Sequence, residues 1–152
     1  MIFLLSLVWV EIRIFSEDTI LVHLPGEALK KFKITLDEGD TLKGEEIYRE
    51  FEKARMGREF LTIQDKDKRM VFVKKDEKDV VKRGTPPRHV KIEITGEENL
   101  EIKWPLEFIP FLSFIPGFTE EESLKESIKK IEGTFELLKI LSKGKKITVR
   151  LE

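Results

Sequence analysis

The sequence predicts an α+β fold. Two tandem units, each a hairpin, a variable segment, a helix and a second hairpin, are expected to pack as one pseudo-two-fold body with antiparallel sheets. Three observations lead there. First, the chain repeats itself: Val10, Ile12 and Ile14 recur as Val90, Ile92 and Ile94, and Pro25 recurs as Pro105, each 80 positions on. A fixed offset with a kept apolar pattern marks a duplicated structural unit. Second, short stretches in each copy alternate apolar and polar residues, the period of a half-buried strand. Third, each copy holds one stretch of helical period closed by a glycine, and a helix laid over a hairpin sheet makes an α+β layer.

The chain opens on Met1-Ile-Phe-Leu-Leu-Ser-Leu-Val-Trp-Val10, read as the start of a long strand buried on both faces. The stretch lacks the positive n-region and small-residue cleavage site of a signal peptide. It is also shorter than the roughly 20 apolar residues that span a bilayer, so a cytoplasmic location is the expectation. Val10 to Phe15 alternates as a strand, Ser16 to Thr19 supplies turn residues, and Ile20, Val22 and Leu24 alternate again up to Pro25. Gly26 to Ile34 is amphipathic. A helix follows over Glu45 to Met56, with Ile47, Phe51 and Ala54 facing in and Gly57 closing it, as helix stops favour glycine. Phe60 to Gln64 and Arg69 to Lys74 form the second hairpin around Asp65 to Lys68.

From the helix onward the offset is 77. Ile47, Phe51 and Ala54 match Leu124, Ile128 and Ile131; Phe60, Leu61 and Ile63 match Leu137, Leu138 and Ile140; Met70 and Phe72 match Ile147 and Val149. Three residues are therefore lost in a connection, where deletions are tolerated. The second copy reads Val90 to Ile94, a turn at Thr95 to Asn99, then Leu100 to Trp104 and Pro105. Thr119 and Glu122 form a capping box for a helix that ends at Gly133, and Leu137 to Leu141 with Lys146 to Leu151 close the copy. The expected division is 1–74 for the first copy, 75–88 for an exposed charged linker holding Gly84-Thr-Pro-Pro87, and 89–152 for the second copy. Each copy is near the size at which a lone core is marginal, so the two are expected to pack on one another.

Charged residues make up 38% of the chain, with 28 basic against 29 acidic. That balance disfavours a nucleic-acid domain, whose basic residues dominate one face, and a polybasic membrane tether. Cysteine is absent, which excludes disulfides, thiol nucleophiles and Cys-ligated zinc. One Asn and one Gln among abundant Glu and Lys fit a thermophile's chain.

The residues that could carry chemistry have structural explanations. Alternation sends His23 to the solvent side, and His89 ends the linker; neither belongs to an H-x-x-H or H-E-x-x-H arrangement. Asp37 to Asp40 lacks the spacing of a calcium loop. Glu120 to Glu122 suit a helix N-terminus. Arg49, Lys53, Arg55 and Arg58 are interleaved with Glu45, Glu46, Glu50 and Glu52, a pattern of ion pairing on a solvated face. Walker, dinucleotide-binding and G-x-S-x-G motifs are missing. No catalytic, cofactor-binding or metal-ligating residue is assigned, and the chain reads as non-enzymatic.

The copies diverge most after the shared proline. The second carries an apolar run, Trp104 to Phe118, with Trp104, Phe108, Ile109, Phe111, Leu112, Phe114, Ile115 and Phe118 as candidate interaction residues. One helical face buries about a third to a half of such a run. The rest must meet the first copy, a second chain, another protein or an apolar ligand. Pro110, Pro116 and the absence of Lys and Arg weaken a membrane-surface reading. The expected function is a self-association or protein-interaction module; the alternative is an apolar small-molecule or lipid binder with its pocket between the copies.

Val90-x-Ile92-x-Ile94, the turn at Gly96, Pro105, the apolar run 106–118, the acidic helix 120–131 and the closing hairpin 137–151 together resemble the SHOCT-like C-terminal module that prokaryotes attach to regulators and adhesin-like proteins. The first copy matches less well, because lysines dilute its variable segment. The resemblance implies an oligomerising or scaffolding module without catalysis. Replacing Phe111 and Phe114 by Glu is expected to disrupt assembly; an unchanged solution mass by light scattering contradicts that role for the run.

Overall fold

A computed structural model describes residues 7–36, 39–106 and 131–152. Its centre is a single antiparallel sheet. The strands are β1 (Val8–Phe15), β2 (Thr19–Pro25), β5 (Glu59–Asp65), β6 (Lys68–Asp76), β7 (Val81–Arg83), β8 (His89–Thr95), β9 (Leu100–Pro105), β10 (Gly133–Ser142) and β11 (Lys145–Leu151). They lie in the order β5-β6-β1-β2-β10-β11-β8-β9, with β7 beside one end of β10. A small separate hairpin pairs β3 (Lys33–Thr35) with β4 (Thr41–Lys43). The described helices are a 3-10 segment at Gly26–Lys31, α1 (Gly44–Lys53) and the short α2 (Glu77–Val80). The expected α+β fold is therefore corrected to a largely β fold.

The pseudo-two-fold packing is corrected too. The first copy supplies β5-β6-β1-β2 and the second supplies β10-β11-β8-β9, the same order of equivalent strands. The copies follow one another along the sheet, head to tail, instead of facing each other across an axis. Their ladders repeat in register. Ile12 pairs with Val22 and Ile92 with Ile102; Ile12 pairs with Phe72 and Ile92 with Val149. Even an irregularity is shared: the β5–β6 register shifts between Glu59 and Leu61, and the β10–β11 register between Glu136 and Leu138. A β-bulge places one extra residue in a strand. Here the extra residues are Phe60 and Leu137, both turned into the core.

Alternation puts one face of the sheet inside. An apolar row runs through Leu61, Phe72, Ile12 and Val22, and continues through Leu138, Val149, Ile92 and Ile102. A second row, from Ile63 to Leu100, lies beside it. Over the first copy this face is covered by α1, whose Ile47 and Phe51 are buried, and by Leu29 and Phe32 around the 3-10 segment. Lys74 fixes the helix: its ammonium donates to the carbonyls of Phe51 at 3.0 Å and Ala54 at 3.1 Å, countering the negative end of the helix dipole. Trp9 and Val10 are both fully buried, as the two-faced burial of β1 requires.

Several expectations shift. The charged linker contributes the end of β6, then α2 and β7, with Val81 buried and paired opposite Phe135. The expected capping box and second helix, and Asp37 and Glu38 of the acidic loop, lie outside the described residues.

At Gly44 the first turn of α1 crosses the 3-10 segment so closely that its N–H donates to the Phe32 carbonyl at 2.7 Å. A Cβ there would collide with the Leu29 carbonyl and sit 2.7 Å from that of Phe32. Gly44→Ala is expected to lower stability by about 1–3 kcal/mol, the usual cost of overpacking, despite alanine's better helix propensity. Urea denaturation checks it, and an unchanged or raised midpoint contradicts it.

Candidate functional site

Among the described residues the sheet ends in two edge strands, β5 and β9. At β9, Leu100 is 53% exposed and Ile102 is 36% exposed, although both stand on the apolar face of the sheet. Their equivalents in the first copy, Ile20 and Val22, are half-buried and fully buried. The difference has a visible cause: β10 pairs with β2, setting Leu138 beside Val22 and Ile140 beside Ile20. Among the described residues β9 has β8 as its one strand neighbour. An unpaired edge presents a row of free N–H and C=O groups.

Trp104, next to last in β9, is half-buried and paired opposite Val90, and Leu106 just beyond the strand is buried. Phe108, Ile109, Phe111, Leu112, Phe114, Ile115 and Phe118 lie outside the described residues. The exposed pair Leu100 and Ile102 was missed in the sequence, where it reads as ordinary alternation. No sequence signal marks it, because the strand that covers its first-copy equivalents pairs through backbone groups that nearly every residue carries.

The opposite face of the sheet carries two ion clusters at equivalent places with inverted signs. In the first copy the centre is the Glu11 carboxylate, buried on the strand. It accepts from Arg13 Nε at 2.9 Å and from His23 Nε2 at 3.0 Å, with Lys75 Nζ at 3.9 Å. In the second copy the centre is Lys91, with Glu93 at 3.2 Å, Glu101 at 3.5 Å and Glu152 at 3.9 Å. Glu11 has become Lys91, Arg13 has become Glu93 and Lys75 has become Glu152, while His23 is replaced by Lys103.

Burial pushes the Glu11 carboxyl up, but hydrogen bonds from His23 and Arg13, helped by the charges of His23 and Lys75, outweigh it and hold the pKa at about 2. Lys91 is raised, first by its hydrogen bond with Glu93 and, against desolvation, by the charges of Glu101 and Glu152. His23 is largely covered, not solvent-facing as alternation suggested: its side chain is 13% exposed. The ring's Nδ1 lies 2.9 Å from the Glu136 carbonyl in β10. His89 is exposed, with its backbone N–H on the Glu152 carbonyl.

The charged groups of each cluster are paired with one another. The described residues contain no group of three or more His, Asp or Glu able to hold a metal. An open cleft of about 310 Å³ lies within the first copy, between Val8, Gly26, Glu27, Tyr48 and Lys74. Within it Tyr48 donates to Glu27 at 2.9 Å, and Glu27 also pairs with Lys30 at 2.9 Å. No helix among the described residues is long and apolar enough to cross a membrane. No family model matches the chain, and neither a curated protein nor a solved structure matches it.

The lowered Glu11 value has a definite sign. Stability from its ionised form is complete above 4.5, the ordinary value, and is lost as pH falls toward about 2, a contribution of order 3 kcal/mol. Glu11→Gln is expected to lose a comparable amount at pH 7 and to flatten the stability profile between pH 4.5 and 2. Parallel profiles for the two proteins in urea denaturation contradict this.

Proposed function

We propose that the chain is a non-enzymatic assembly module that associates with another copy of itself through a sheet edge. The observation that carries the reading is the exposure of Leu100 and Ile102 on β9, at positions whose equivalents in the first copy are covered by a neighbouring strand. Apolar side chains flanking an open ladder favour addition of a further strand, because backbone hydrogen bonds and apolar burial are gained together. The resemblance of the second copy to SHOCT-like modules implies the same kind of role. A ligand pocket between the copies draws no support from their junction, where β2 and β10 are hydrogen-bonded neighbours.

Light scattering over a concentration series tests the proposal. The wild-type mass is expected to rise above the 17.8 kDa of one chain. Leu100→Lys places a charge on the edge, a device that natural sheets use to block pairing. It is expected to return the mass to that of a monomer with the circular dichroism spectrum unchanged. A wild type that stays monomeric throughout contradicts the proposal.

A further inference from the structure

The two ends of the sheet are complementary halves of a junction the molecule already makes once. β9 is the second copy's equivalent of β2, and β5 is the first copy's equivalent of β10, as the shared registers and the shared bulge establish. Inside the chain, β2 and β10 pair. Among the described residues the two edge strands are therefore the same two partners, one at each end of the sheet.

We propose that copies of the chain join head to tail, with β9 of one adding antiparallel to β5 of the next in the register of the internal β2–β10 ladder. This rests on the reading of the chain as a self-associating module. The register follows from the junction. Val22 opposite Leu138, Leu21 opposite Lys139 and Ile20 opposite Ile140 become Ile102 opposite Leu61, Glu101 opposite Thr62 and Leu100 opposite Ile63. Each pairing keeps its face of the sheet. Ile102 and Leu100, exposed in a single chain, extend the two apolar rows into Leu61 and Ile63 of the neighbour, so both rows run on without a break.

The polar face agrees. His23 reaches across the internal junction to the main chain of Glu136. The transposed positions are Lys103 and Glu59, both exposed, so an ammonium arrives beside a carboxylate. A junction between unlike surfaces is heterologous. It leaves the same two edges free after every addition, and grows as a filament unless accumulated twist closes it into a ring.

The chain has no cysteine, so single cysteines report contacts without background. Glu101→Cys and Thr62→Cys, both at exposed positions, are mixed and oxidised, and the crosslinked peptides are read by mass spectrometry. Directly opposite residues in an antiparallel pair lie about 4.5–5.5 Å apart at Cα, within reach of a disulfide. The expected result is a 62–101 disulfide severalfold above either homodimer, and weaker crosslinking when Lys103→Cys replaces Glu101→Cys. A dominant 101–101 disulfide overturns the head-to-tail register and leaves self-association standing. Oligomers by light scattering with no crosslink at either edge also overturn the register alone. A monomer at every concentration, with no crosslink, overturns the register together with self-association.

Discussion

Four residue pairs between β2 and β10, from Thr19–Leu141 to Val22–Leu138, decide the form of this molecule. Without them each copy would be a four-stranded sheet with an open edge. With them, Ile20 and Val22 pass from an edge into the middle of a core, and the apolar face becomes continuous across both copies. The junction is reinforced at one end by Trp9 of the first copy, whose ring meets Phe135 of the second with centroids 4.8 Å apart, and by β7, which pairs with the part of β10 that β2 does not reach. Apolar burial, non-directional in itself, is given direction here by the ladder that aligns the rows.

The copies diverged under that constraint in an instructive way. Most positions facing the helix side stay apolar, because a charge there would be buried without a partner; Lys74, where the second copy has Leu151, is charged and is partnered by the carbonyls of Phe51 and Ala54. Positions on the other face kept the arrangement of an ion cluster while exchanging its signs. Coulomb attraction does not distinguish which partner is the anion, so Glu11 among cations and Lys91 among carboxylates satisfy the same geometry. Their surroundings differ, however. Glu11 is buried and sits one residue pair from the junction through His23, whereas the Lys91 cluster lies nearer solvent, with Glu101 mostly exposed.

Much of this was legible in the sequence, for identifiable reasons. The offsets of 80 and 77 fixed which strands are equivalent, because strand positions that pack cannot drift. The sign-inverted cluster was legible too: Glu11-x-Arg13 against Lys91-x-Glu93, and Lys75 against Glu152, are readable once charge is compared at the repeat offset as well as hydrophobicity. The operator relating the copies was not legible. Pairing along an edge is made by backbone groups, which nearly every residue carries, so side-chain patterning does not tell edge-to-edge from face-to-face packing. β3, β4 and β7, at three residues each, are too short to display a period. His23 was placed on the correct face of its strand, but that face is not open there, because Glu11 and the Glu136 main chain close over the ring.

The most direct measurement is residue-resolved hydrogen exchange across β2. If the copies share one continuous sheet, the amides of Thr19 to Val22 that point toward β10 exchange as slowly as those of β1, opening only with global unfolding. If those amides exchange as fast as an unpaired strand edge, the copies are separate units and the head-to-tail sheet is wrong.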